Sequence, residues 1–419
     1  MLKLLRVLVL IGALSIVALG AVGGGVGVIV GLLGPAGDQL TMVTAAAAFL
    51  FLTVSLGAAL AWQSWRSMQG QESGPFQVKR LWLWGLLYVL ALVLGQLILA
   101  ADLLAVLLFP PLHVVVAVLP PLILLVLVGL GLRWPARWRD VVLQTSSGAF
   151  LSAALAFTLE AVFVLGLLFA VFAAIAVQPG GMELLEMLAE RLQDPSWLQD
   201  PASQVSLSRS PLIVAGIFFV LAVLVPIIEE SVKTVGVGLM SYRRPTISEA
   251  FLWGVACGAG FALVENLFNT TGGLDVWAPM SLLRLGAALL HCFTGGLMGL
   301  AWYFSIGEGR WVRALALFFT SVGIHAVWNA LAAGMTLVSL TAQDGGAIEP
   351  GGMLAGFGVF ALLALLVLLA VLVGLVLLAL TIYVRKRGQA TETGRGDVPN
   401  SLGQVAAQVP AEGVPEESL

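Results

Sequence analysis

The chain has 419 residues, of which 60% are hydrophobic and only 10% are Asp, Glu, Lys or Arg. Soluble domains carry about 25% charged residues, so a water-soluble surface is excluded, and a mean hydropathy of +1.03 points to a lipid-embedded chain. A net charge of -3, with no Lys/Arg-rich run inside a folded segment, argues against a nucleic-acid partner.

Apolar runs of 18 or more residues read as transmembrane helices, because about 20 residues span about 30 Å of hydrocarbon. Ten such runs occur, over roughly 7–33, 41–62, 81–101, 112–132, 148–178, 211–240, 250–269, 281–305, 314–335 and 353–384. The expected fold is therefore all-α, a polytopic integral membrane protein of about ten transmembrane helices. The first run contains Ala18-Leu19-Gly20, which resembles a signal-peptidase site, but it continues through Leu33 and reads as an uncleaved anchor. With the N-terminus inside, 16 of the 20 basic residues fall in cytoplasmic segments and only Arg191 and Arg209 outside, while Lys233 and Arg284 lie within apolar runs. Short cytoplasmic loops retain Lys and Arg. The expected placement is thus multi-pass in the cell membrane, with both termini cytoplasmic and the lipid bilayer as the surrounding partner.

The chain divides into five stretches. Residues 1–147 form an N-terminal four-helix membrane region. Residues 148–210 hold the fifth span and an external loop, in which Met182 to Leu192 alternates apolar and acidic residues at helical spacing; a solvated connecting helix is the favoured reading there over one lying on the membrane. Residues 211–335 form a polar-rich membrane core, 336–387 an external loop and last span, and 388–419 a disordered cytoplasmic tail rich in Gly, Pro, Gln, Thr and Glu. Cys257 and Cys292 lie in apolar runs and read as buried small hydrophobes.

Ionisable groups inside a bilayer are costly and usually face the protein interior. Here they are concentrated, because the stretch 229–329 holds Glu229, Glu230, Lys233, Glu265, Arg284, His291 and His325. Glu160 stands alone in the fifth span and reads as a hydrogen-bonded packing residue, and His113 as an interfacial residue beside Pro110 and Pro111. Glu229 and Lys233 share a helix face at i,i+4, with Glu230 about 100° away. Phe261 and Glu265 share a face with Asn266 adjoining, and so do His325 and Asn329. A polar seam gluing helices together uses Ser, Thr, Asn and small residues; it does not require three carboxylates, two imidazoles and two cations. A carboxylate there is suited to act as base and then acid toward water, and an imidazole with an amide to stabilise an oxyanion. Glutamates with two histidines are equally a donor set for a divalent metal such as zinc. No HExxH helix is present, and both routes stay open.

Glu229-Glu230-Ser231-Val232-Lys233, then Gly260-Phe261-Ala262-Leu263-Val264-Glu265-Asn266, then Arg284 and His291, then His325-Ala326-Val327-Trp328-Asn329 resembles the PrsW family of intramembrane proteases, a family related to the CAAX-prenyl endopeptidase and bacteriocin-processing (CPBP) superfamily. The resemblance covers about 211–335. It implies a peptidase acting on a membrane-anchored protein, such as an anti-sigma factor, with the catalytic cavity in the C-terminal half. It implies Glu229, Glu230, Glu265, His291 and His325 as catalytic residues, with Glu229 as water-activating base and Glu230 competing for that role. Lys233, Asn266, Arg284 and Asn329 then serve as orienting or oxyanion groups. A metal, if used, would be held by Glu229, Glu265, His291 and His325, while a glutamic mechanism requires none. Asn329 departs from the acid that one PrsW member has at this spacing and is closer to the wider superfamily, which implies a hydrogen-bonding and not an acid-base role. The alternatives are an ion-coupled transporter or an inactive membrane scaffold. Counted along the spans, Glu265 falls near the outer face and Glu229 nearer the cytoplasm, so either a span is tilted or bent, at Pro226 or at Gly258 and Gly260, or the two acids belong to different parts of one water-filled cavity.

Overall fold

The computed structural model describes residues 2–35, 37–194, 196–197, 200, 203, 205, 209–342 and 350–396. The chain folds as α1 (Leu2–Leu33), α2 (Gln39–Met68), α3 (Leu81–Ala101), α4 (Ala105–Gly131), α5 (Trp138–Ala176), α6 (Gly181–Leu192), α7 (Pro211–Arg243), α8 (Ile247–Asn269), α9 (Leu274–Gly307), α10 (Trp311–Ala342) and α11 (Pro350–Gly396). Among the described residues no β-strand forms, and one isolated bridge joins Pro75 to Arg137. All of these helices except α6 are long and apolar enough to cross a bilayer, ten in number among the described residues.

Three helices begin well before their apolar runs, α4, α5 and α9 starting at Ala105, Trp138 and Leu274. In α5 the added turns carry Asp140, Gln144 and Thr145, which are buried against protein rather than lipid. The earlier start of α4 changes the position of His113, which is fully buried instead of interfacial. Its Nδ1 accepts from Trp277 Nε1 at 3.1 Å and its Nε2 lies 3.0 Å from the Leu267 carbonyl. An indole N–H only donates and a carbonyl only accepts, so the ring is a neutral bridge between α4, α8 and α9. The end of α11 also departs from expectation, since helix continues through residues 388–396 where a disordered tail was expected. Arg387, donating to Glu308 at 3.3 Å, anchors that end to the α9–α10 turn. The remainder of the expected tail, 397–419, lies outside the described residues. The helix expected in the external loop is α6, with Met182, Leu184 and Met187 exposed.

α8 and α9 form the centre, with 94% and 83% of their most apolar stretches buried within the protein, compared with 61% or less for every other span. The N-terminus of α8 is fixed by a capping box, in which Thr246 Oγ1 accepts from the Glu249 amide at 3.2 Å and Glu249 Oε2 from the Thr246 amide at 2.8 Å. Small residues then let backbones meet on two of its faces. A Cβ on Gly258 would lie 2.0 Å from the His291 carbonyl of α9, and one on Gly260 would lie 2.0 Å from the Thr145 carbonyl of α5. The peripheral α1–α2 and α3–α4 hairpins and α11 pack around this pair.

The contact at Gly258 yields a test of the packing. Gly258→Val forces α8 and α9 apart, because a backbone carbonyl cannot rotate out of the way, and overpacking costs about 1–3 kcal/mol. The thermal midpoint of the purified variant in detergent should fall clearly below that of Gly166→Val, whose Cβ would meet nothing within 4 Å. Equal midpoints would contradict the close α8–α9 approach.

Candidate active site

α7 does not cross as a regular helix. Pro226 has no N–H, so a wide turn forms just ahead of it, with π-helical bonding over Val220–Leu224. In that i→i+5 register the Leu221 carbonyl would bond to residue 226, which is proline; it is met instead by the Asn329 Nδ2 of α10 at 2.9 Å. The helix breaks again between Val232 and Val235, with Thr234 at φ -115 and ψ 29. Here Ser152 donates to the Lys233 carbonyl at 2.9 Å, and Trp302 Nε1 to Thr234 Oγ1 at 3.1 Å. The short segment between these irregularities carries Glu229, Glu230 and Lys233.

Two matching chains of contacts converge on this segment. Glu230 is fully buried and pairs with Lys233, and the same Oε1 lies 2.8 Å from His325 Nδ1. Glu265 pairs with Arg284 at 2.5 Å, and the same Oε2 lies 2.8 Å from His291 Nε2. Each imidazole therefore has a carboxylate on one nitrogen, and each carboxylate has a cation behind it. A carboxylate accepts, so the facing ring nitrogen donates and the other keeps its lone pair. Those remaining atoms face each other. His291 Nδ1 and Glu229 Oε2 are buried with no hydrogen-bond partner among the described residues, His325 Nε2 lies 3.8 Å from Glu229 Oε2, and the two rings stand edge to face with centroids 5.3 Å apart. One donor atom from each of Glu229, His291 and His325 lies within 4.8 Å of the others, and all three residues are at most 5% exposed.

Lys233 Nζ also lies 3.8 Å from Glu229 Oε2. Three donors of these types, each histidine backed by a carboxylate, fit a divalent metal by the chemistry of the donor set. Glu265 stands outside this group; it supports His291 rather than joining it. Glu265 is reached by Arg284 from one side and by His291, two turns further along α9, from the other. This links the acid near the end of α8 to Glu229 without a regular span between them, and the bend expected at Pro226 takes the form of the π turn.

The remaining expected groups are bound to neighbours. Asn266 donates to the Ala117 carbonyl at 3.1 Å and accepts from Arg284 Nε at 3.0 Å, which holds Arg284 toward Glu265. Asn329 serves the Leu221 carbonyl. Cys257 and Cys292 are free and buried. Glu160 lies on the inner stripe of α5, which packs against the Glu229 segment of α7, but its Oε1 is buried without a partner instead of hydrogen-bonded as expected. One contributor escaped sequence reasoning. Thr294 Oγ1 lies 3.5 Å from Lys233 Nζ, and the ring of Phe261, expected on the Glu265 face, lies 5.1 Å from the same Nζ. The signal for Thr294 was its position one helical turn after His291.

A family model described as the PrsW family of intramembrane metalloproteases matches residues 155–369, just over half of the chain. The match extends past 211–335 to include Glu160 and the start of α11. No curated protein and no solved structure gives a significant match.

The buried pairs predict an order of stability. Lys233→Met leaves Glu230 charged and enclosed, a loss of about 3–5 kcal/mol. Arg284→Met costs less, because Arg284 and Glu265 keep 14% and 13% of their side-chain surface exposed. Unfolding in detergent should rank wild type above Arg284→Met and that above Lys233→Met, with Glu230→Gln/Lys233→Met recovering part of the loss. A Lys233→Met protein as stable as wild type would contradict the pairing.

Proposed function

We propose that this chain, which belongs to the PrsW family of intramembrane metalloproteases, cuts a peptide bond of a membrane-anchored protein at the group formed by Glu229, His291 and His325. The observation that carries this reading is the convergence of one donor atom each from Glu229, His291 and His325, on α7, α9 and α10, within 4.8 Å of one another. A divalent metal such as zinc, bound by these three side chains, supplies Lewis acidity for the attacking water and the scissile carbonyl. His291 Nδ1, His325 Nε2 and Glu229 would hold it, the two rings being fixed by Glu265 and Glu230. Glu229 is also the base that takes the proton of the water and passes it to the departing amine. Lys233 and Arg284 keep the two supporting carboxylates ionised and aimed. Asn329 acts by shaping α7 rather than by touching substrate.

The relation to the wider CPBP superfamily rests on the order of the EExxK, GFAxxEN and two-histidine elements on consecutive spans. The substrate class that this kinship suggests is a single-span regulatory protein of the anti-sigma type. The placement is in the cell membrane with both termini cytoplasmic, supported by the alternation of basic segments. The catalytic unit is assigned to 211–335, with the parts of the family match outside it serving as its frame.

Co-expression with tagged single-span proteins and detection of the cleaved fragment tests this reading. Glu229→Gln, His291→Ala and His325→Ala should each abolish the fragment while the protein still inserts. Glu265→Gln and Glu230→Gln should lower its rate by about 10- to 100-fold, as expected for groups that support ligands. Cleavage unaffected by all five substitutions would place the site elsewhere.

Metal dependence has its own readout. Purified protein should hold about one divalent ion per chain by elemental analysis, His291→Ala should lose it, and chelation should stop cleavage until zinc is restored. Full activity after chelation would leave Glu229 as the base of a metal-free glutamic mechanism.

A further inference from the structure

A cavity of about 600 Å³ lies away from this site, between α1, α2, α5 and the last turns of α7. Its walls are apolar, formed by residues such as Val9, Ile16, Leu60, Leu143, Phe150 and Leu239. At the end marked by basic loops it meets three arginines, Arg6, Arg139 and Arg243. We propose that it binds one anionic phospholipid, the phosphate held by these three guanidinium groups and one acyl chain laid along the apolar slot.

Charge favours an anion. The carboxylate among the three arginines is Asp140, which is buried; Arg243 Nη1 lies 2.7 Å from its Oδ1 and Arg139 Nε 3.7 Å. The other contacts of the cluster are to neutral groups. Arg6 Nη1 donates to the Ser67 carbonyl at 2.9 Å, and Arg139 Nη1 lies 3.5 Å from Ser67 Oγ. Three cations around one acid leave the mouth positively charged at the level where a membrane presents its headgroups.

The dimensions favour a lipid over a peptide helix. From Arg6 to Ile16 along α1 is ten residues, about 15 Å, or about half of a hydrocarbon core of about 30 Å. The slot thus matches the chains of one leaflet, whereas a substrate helix would need a groove of full depth. Its volume sits within the roughly 300–1,000 Å³ of pockets that enclose small ligands. The cavity also touches Gly236, two residues after the break at Thr234, so a bound lipid would abut the segment that follows Lys233.

Native mass spectrometry of the full-length protein in mild detergent, titrated with dioleoylphosphatidylglycerol or dioleoylphosphatidylcholine, tests the proposal. The glycerol lipid should bind at one preferred site at least ten times more tightly than the choline lipid. Arg6→Gln/Arg139→Gln should weaken phosphatidylglycerol binding by about 30-fold, from roughly fivefold per arginine beside an anionic headgroup. Gly12→Phe is the independent variant. Gly12 lines the cavity and a Cβ there meets nothing within 4 Å, so a side chain can start there without a clash, and a ring added at this position should occupy the slot and remove the preferred site. Equal binding of the two lipids by the wild type would overturn the proposal, as would phosphatidylglycerol binding unchanged in Gly12→Phe.

Discussion

Two buried cation–carboxylate pairs govern the centre of this molecule. Glu230 with Lys233 and Glu265 with Arg284 are charges that a bilayer rejects individually and accepts when matched. Each pair holds a histidine from a different helix, so the cost of removing any one member is borne by the others. Glu230 links α7 to α10 through His325, and Glu265 links α8 to α9 through Arg284 and His291. Four helices are thereby held in register by polar contacts, while the glycine faces of α8 let the backbones come close enough for those contacts to form.

The same constraint explains why α7 is irregular. A straight helix would satisfy its own backbone, whereas α7 is interrupted on both sides of the regular turn that carries Glu229 and Glu230. The π turn and the break at Thr234 leave carbonyl groups without intrahelical partners, and in a membrane these cannot turn to lipid. Ser152 and Asn329, supplied by α5 and α10, take them up. The irregular backbone is therefore tolerated where neighbouring protein encloses it, and this is the stretch that carries the acidic pair.

Much of this was legible in the sequence because a bilayer imposes a length on apolar runs and makes each internal charge conspicuous. The ten spans and the set Glu229, Glu230, Lys233, Glu265, Arg284, His291 and His325 follow from those two facts. The pairing within the set was only partly legible. Helical spacing puts Glu229 and Lys233 on one face, and Lys233 Nζ does lie 3.8 Å from Glu229 Oε2, but its direct hydrogen bond goes to Glu230, three residues before it. His113 was misplaced for a related reason: Pro110 and Pro111 suggest a helix edge, but enclosed membrane helices accommodate proline, and α4 begins before them. The close backbone approaches at Gly258 and Gly260 were visible as glycines, without the partner backbones that make them necessary.

Asn329 shows how one substitution depends on a distant backbone feature. Its position four residues after the last histidine suggested a hydrogen-bonding group near the reaction. The structure directs its amide to the Leu221 carbonyl, left without a donor because the residue five positions on is Pro226. An ionised carboxylate at 329 could only accept, and would set a negative charge against the carbonyl. The amide supplies the missing N–H at no charge. Proline at 226, the widened turn before it and asparagine at 329 therefore form one unit across α7 and α10, behind the helix that carries Glu229 and Glu230.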